Sequence, residues 1–197
     1  MRIFVGIDLE DAIRGKIARF IEGVSGFAPD ARFVRPESLH VTLKFIGEQK
    51  PEQVEAITHK LRGVRGTPFE IRLAEFGFFP TAKSPRVFWI GIHAGPELAK
   101  LAKDIDAATA ELGIPREERA FSPHLTLARA GGRSGDPKWR KGDGPNSIFG
   151  VLQKRLAAVS ETEFGKMTAG EFILFQSQLS PAGSKYTKLE RFALRTA

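Results

Sequence analysis

The chain contains two copies of one short string, His40-Val41-Thr42-Leu43 and His124-Leu125-Thr126-Leu127, which hold two of its only four histidines. Side chains alternate faces along an extended strand. Each string therefore predicts a strand with an apolar back (Val41 and Leu43, Leu125 and Leu127) and a front that shows an imidazole beside a hydroxyl. The histidines are 84 residues apart (124 − 40), and so are the strand-like starts Arg2-Ile3-Phe4 and Arg86-Val87-Phe88 (86 − 2). Between them Ile17 keeps register with Leu101, and Ile21 with Ile105. A unit repeated once, over approximately 2–43 and 86–127, predicts two lobes of like topology within a single domain spanning 1–197. If the lobes face each other about a pseudo-twofold axis, the two His/Thr faces meet across one cleft.

With 42% hydrophobic residues, 197 residues can bury a real core. The chain has no cysteine, which excludes disulfides, thiol nucleophiles and cysteine-ligated zinc. The start Met1-Arg2-Ile3-Phe4-Val5-Gly6-Ile7-Asp8 turns acidic too soon for a signal peptide, and no apolar run is long enough to span a bilayer. A cytoplasmic protein without a membrane partner is expected. Thirty basic against twenty-three acidic residues give a net charge of +7, which concentrates anionic partners, RNA among them.

The remaining pattern predicts an α+β fold. Residues 2–8 read as a strand, followed by a helix striped by Ile13, Ile17, Phe20, Ile21 and Val24. A short extended piece at 32–34 leads to the first motif strand, which Gly47 ends. Pro51 opens a helix striped by Val54, Ile57, Leu61 and Val64. Residues 69–76 alternate as a half-buried strand, with Gly77-Phe78-Phe79-Pro80 as a loop before the strand at 87–93. Pro96 starts a helix that Gly113 stops, and the second motif strand follows Pro123. After a Gly- and Lys/Arg-rich loop and a short helix near 148–158, residues 171–179 and 185–193 read as a hairpin turned by Ser180-Pro181-Ala182-Gly183. Such hairpins and alternating strands favour antiparallel sheets.

Two imidazoles facing one cleft suit general acid–base catalysis. The neutral one takes a proton from water while the charged one protonates a leaving oxygen. The rate should then trace a bell against pH, expected to centre near neutrality. A threonine hydroxyl on the same face can hold a non-bridging phosphate oxygen, making an in-line displacement site without metal. A single strand histidine is usually structural, and the duplication is what singles out His40 and His124. His59, off its helix stripe, reads as solvated, and His93, at a strand end, as structural. No His-Glu-x-x-His string occurs and neither motif contains a carboxylate, so no metal and no cofactor is expected.

These residues resemble the two-histidine phosphoesterases, defined by paired His-x-Thr/Ser-x motifs, and within them the bacterial and archaeal RNA 2′,3′-cyclic phosphodiesterases of the LigT/ThpR type, once called 2′-5′ RNA ligases. The resemblance is carried by 2–7, by Arg35-Pro36-Glu37-Ser38-Leu39-His40-Val41-Thr42-Leu43-Lys44-Phe45-Ile46-Gly47, by 85–89, by 121–129 and by 174–177. It implies a bilobal, pseudo-symmetric α+β fold, each lobe an antiparallel sheet with helices on its outer face and the active cleft between them. It also implies the opening of an RNA 2′,3′-cyclic phosphate end to a 2′-phosphomonoester by a monomer. His40 would protonate the departing 3′ oxygen, His124 would activate water, Thr42 and Thr126 would hold phosphate oxygens, and Arg129 would stabilise phosphoryl charge.

Three features sit less simply. Arg129 lies five residues from His124, so on an ideal strand it faces away and reaches the phosphate only if the strand ends or bulges after Leu127. Lys44 falls on the His40 face and could supply that charge instead, but reads as an exposed rim charge. The stretch 129–141 holds Arg129, Arg133, Lys138, Arg140 and Lys141 around Trp139, which suits single-stranded RNA and equally a solvated loop. Phe78 and Phe79 could flank the cleft and stack a base, but such phenylalanines are more often core, and they read as core. The alternatives are 2′-5′ end ligation, another small cyclic phosphodiester, or a non-catalytic RNA end-binding module; paired histidines argue against the last, because arginine serves binding better.

Overall fold

The computed structural model describes residues 1–130, 147–159, 162–180 and 183–195. In chain order the elements are β1 (Arg2–Asp8), α1 (Asp11–Val24), β2 (Ala31–Phe33), β3 (His40–Glu48), α2 (Pro51–Leu61), β4 (Phe69–Phe79), β5 (Val87–Ala94), α3 (Pro96–Ala110), β6 (His124–Ala130), α4 (Gly150–Leu156), β7 (Glu163–Ala169), β8 (Glu171–Ser180) and β9 (Gly183–Ala193). The strands form two antiparallel sheets, ordered β3-β1-β8-β9 and β2-β6-β5-β4-β7. The fold is a two-lobed α+β structure. Arg133, Lys138, Trp139, Arg140 and Lys141 of the basic stretch lie outside the described residues, as do Pro181 and Ala182 of the expected hairpin turn.

The two halves are interwoven rather than stacked. Strand β1 pairs with β3 in the first sheet as β5 pairs with β6 in the second, but His40 stands opposite Asp8 and His124 opposite Gly91, so the partner strand is offset by 83 residues (91 − 8) where the motif strand is offset by 84. Yet β4, from the first half of the chain, joins the second sheet, and β8 and β9 return to the first. The helices cross as well. The buried stripe of α1, Ile13, Ile17, Ile21 and Val24, lies on the second lobe, where Phe20 packs against Phe76, Phe88 and Phe164. Helix α3 packs with α2 and against β3 in the first lobe. Each fully buried aliphatic side chain contributes about 1.5–3 kcal/mol of transfer free energy. One core therefore runs through both lobes, with apolar side chains of one half buried against the other.

Three bulges set which residues face the cleft. On β3 the pairs Val5↔Lys44 and Gly6↔Thr42 leave Leu43 as an extra residue. On β6 the pairs Phe88↔Ala128 and Trp89↔Thr126 leave Leu127 extra, 84 residues later. An inserted residue reverses the alternation beyond it. On β4 the extra residue is Glu75, at φ 65°, and the strand continues through Phe79 instead of ending in a loop. Before that bulge Ile71 and Leu73 face the core; after it Phe76 and Phe78 do, while Gly77 and Phe79 turn to the other face. Strand β7, absent from the sequence reading, also breaks phase, between Glu163 and Gly165, with Gly165 at φ 120°.

The first bulge overturns the reading of Lys44. It is buried, not a rim charge, because the extra residue turns it to the core side, where its ammonium meets Asp106 of α3 at 2.5 Å and the Pro115 carbonyl at 2.7 Å. Burial pushes the Asp106 carboxyl up, but Lys44 and the Glu117 amide outweigh it and hold the group below its usual range. Removing one partner strands the other charge. Lys44→Met is therefore expected to cost about 3 kcal/mol, read as a fall in urea midpoint, and Lys44→Met/Asp106→Leu to recover most of it. Equal loss in the single and double variants would mean that packing, not charge, sets the cost.

Candidate active site

His40 opens β3 and His124 opens β6, and these two strands approach each other across the lobes. Thr42 and Thr126 share the faces of their histidines, since the bulges come after them. Both imidazoles and both hydroxyl-bearing residues are partly buried. The two rings are held alike: Nδ1 of His40 lies 2.8 Å from the Ser38 carbonyl, and Nδ1 of His124 lies 2.8 Å from the Ser122 carbonyl. A carbonyl only accepts, so Nδ1 carries the proton and donates it. Nε2 is thereby left with a lone pair in the neutral ring and a transferable proton in the charged one.

The supports differ between lobes. Arg14 of α1 donates to the Pro36 carbonyl at 2.5 Å and the Leu9 carbonyl at 3.1 Å, and pairs with Asp8. It thus braces the turn Pro36–Ser38 whose carbonyl orients His40. Asp8, opposite His40 in the β1–β3 ladder, also pairs with Lys188 of β9. Burial works against the Asp8 carboxylate, yet Lys188 and Arg14 hold it ionised below its usual range. The residue that stands opposite His124 in the β5–β6 ladder, as Asp8 stands opposite His40, is Gly91, which brings no side chain.

Aromatic rings bracket both imidazoles. His40 lies 4.6 Å from the Phe4 ring and meets the edge of Tyr186 at 5.0 Å. Gly6 makes room for it: a Cβ there would stand 2.8 Å from the Val41 carbonyl and 3.5 Å from the His40 ring. His124 meets the edge of Phe79 at 5.0 Å, and Phe79 leans on Trp89 at 4.9 Å. Trp89 in turn lies on Gly77, where a Cβ would be 2.3 Å from the indole. Phe78 packs on Phe88 and Phe149 in the core, as expected, but Phe79 belongs to the site face. In the sequence Phe79 reads as core and Trp89 carries no mark of its own. The clue available there is Gly77, a glycine inside an aromatic run.

The bulge at Leu127 brings Arg129 onto the face of His124 and Thr126, the condition its odd spacing demanded. Its charge acts on both imidazoles. Burial first, and Arg129 with it, push the His40 pKa down to about 4 against the support of the Ser38 carbonyl. His124 is likewise lowered, by burial first, with Arg129 again adding to the effect. Both rings are therefore neutral near pH 7 in the free protein. His93 sits 3.2 Å from Glu75 and His59 is exposed on α2, apart from the paired motifs. Among the described residues no group of three or more His, Asp or Glu side chains is placed to hold a metal ion.

Known proteins share this fold and much of this sequence. The sequence model of the LigT-like phosphoesterases matches twice in succession, over 7–89 and 90–186. An RNA 2′,3′-cyclic phosphodiesterase of Archaeoglobus fulgidus is 35% identical over 192 residues, 98% of this chain and 99% of that one. A crystal structure of a Thermus thermophilus protein superimposes with a TM-score of 0.76 at 30% identity, covering 99% of this chain and 98% of that one. Escherichia coli LigT in complex with 3′-AMP gives 0.75 at 28% identity, with coverage of 99% and 98%. The chain belongs to the family of LigT-like phosphoesterases.

Proposed function

We propose that the protein opens RNA 2′,3′-cyclic phosphate ends to 2′-phosphomonoesters, without metal, by paired histidine acid–base catalysis. The observation that carries this is the matched presentation of two imidazoles, each fixed through Nδ1 to a backbone carbonyl, with one arginine acting on both. The named activity of the Archaeoglobus relative and the 3′-AMP held by the E. coli protein supply the substrate class.

In this reading Thr42, Thr126 and Arg129 bind the non-bridging phosphate oxygens, and the cation and hydroxyls stabilise the charge that grows on them. Nε2 of His124 takes a proton from water as the water oxygen bonds to phosphorus. The bond from phosphorus to the 3′ oxygen breaks, and Nε2 of His40 gives that oxygen its proton. The 2′ ester remains. Proton exchange with solvent then restores both rings.

Incubation with a short RNA ending in a cyclic phosphate, in excess chelator, tests the reading. Full turnover to a 2′-phosphate, identified by ³¹P NMR, is expected. Activity lost in chelator and restored by a divalent ion would replace the mechanism with a metal-assisted one. A 3′-phosphate product would exchange the roles of the histidines, and tight binding without turnover would make the protein an end-binding module.

A further inference from the structure

The free edge of β9 carries a cavity of about 280 Å³ that the cleft chemistry does not use. Arg62 and Arg65, just after α2, and Arg191 and Arg195, at the end of β9, line it together with a single carboxylate, Glu190. A backbone bridge between Gly66 and Arg195 ties the two arms together. Arg62 reaches Glu190 only at 3.4 Å, and Arg191 pairs with Glu171. Arg65 donates to the Arg62 carbonyl, and neither it nor Arg195 has a carboxylate partner among the described residues. Four arginines lining one hollow, two of them without a carboxylate partner among the described residues, favour an anion there. Their planar forks suit the paired oxygens of a phosphate.

The sheet connects this hollow to the cleft. Thr42 pairs with Gly6, Gly6 with Ile173, and Ile173 with Arg191. Partners directly opposite in a ladder share a face, so Arg191 lies in the row and on the face of Thr42. Three inter-strand spacings separate them, about 14 Å along the sheet. A few nucleotides of single-stranded RNA cover that distance.

We infer that the arginine groove binds backbone phosphates of the RNA upstream of the cyclic end held at His40 and His124. The inference rests on the reading of the cleft given above. Contacts of this kind carry no base preference and weaken as salt rises.

The test compares wild type with Arg65→Gln/Arg195→Gln, two exposed positions outside the cleft, on two substrates. One is cytidine 2′,3′-cyclic phosphate and the other an octaribonucleotide ending in the same cyclic nucleotide. Wild type is expected to favour the octamer in kcat/KM by about tenfold at about 50 mM salt, and less at about 200 mM. The variant should lose that advantage through KM, with a salt slope shallower by about 0.7 for each contact removed. Its turnover of the mononucleotide should match wild type. A wild type with no preference for the octamer, or a variant that loses equally on both substrates, overturns the groove and leaves the cleft reading standing. If wild type opens neither substrate, the cleft reading itself fails and the groove falls with it.

Discussion

Replacing His40 or His124 by alanine is expected to lower kcat for ring opening by about 10²- to 10⁴-fold while the protein stays folded. Each imidazole supplies one proton transfer in the proposed mechanism, and among the described residues no further histidine stands beside either one. His59 is exposed on α2 and His93 is occupied at Glu75, so neither can substitute. Both catalytic candidates are only partly buried, and their rings rest on neighbours that remain in place, Phe4 and Tyr186 on one side and Phe79 on the other. Circular dichroism should therefore be unchanged. Because the two act as a unit, the double variant should be little worse than the slower single one. Near wild-type turnover by either single variant would remove the acid–base mechanism.

The second large effect is on pH. The sequence alone pointed to a bell centred near neutrality, but the structure moves it. Catalysis requires one ring charged and one neutral, and kcat/KM reports the ionisations of the free enzyme. Burial and Arg129 lower both rings, His40 to about 4, so the singly protonated form peaks on the acid side of neutrality and then declines. A kcat/KM maximum below about pH 6.5 is expected, falling about tenfold per pH unit beyond the higher apparent value. Bound phosphate brings negative charge that favours the imidazolium, so the kcat profile should lie to the alkaline side of the kcat/KM profile. The apparent values belong to the coupled pair. Arg129→Gln removes a cation that lowers both rings, so it should slow turnover and also displace the whole kcat/KM profile upward, whereas Arg129→Lys should leave its position near wild type. A profile flat from about pH 5 to 9 would mean that the histidines bind phosphate without titrating.

What could be read from the chain alone followed from two kinds of regularity. Strand alternation placed His40 with Thr42 and His124 with Thr126, and the 84-residue spacing joined the two strings into one hypothesis. The alternation is local, reaching no further than two residues from each histidine, and its inferences stop where it does. A bulge costs one residue and leaves no mark in the hydrophobic pattern, because Leu43 with Lys44 and Leu127 with Ala128 simply become adjacent residues facing inward. For that reason Arg129 reached the site face only through tertiary pairing, and Lys44 left it for a buried partner on α3. The Glu75 bulge likewise delivered Phe79 to His124 out of a segment that reads as a loop.

The exchange of helices and strands between the lobes is a matter of the whole chain. Periodicity states that α1 and α3 each have an apolar stripe, but not which sheet receives it, since either sheet offers an equally apolar back. The sequence determined which side chains present an imidazole and a hydroxyl together. Only the tertiary structure decided how charged the space between them is, because the desolvation of both rings and the reach of Arg129 depend on strands brought together from opposite ends of the chain.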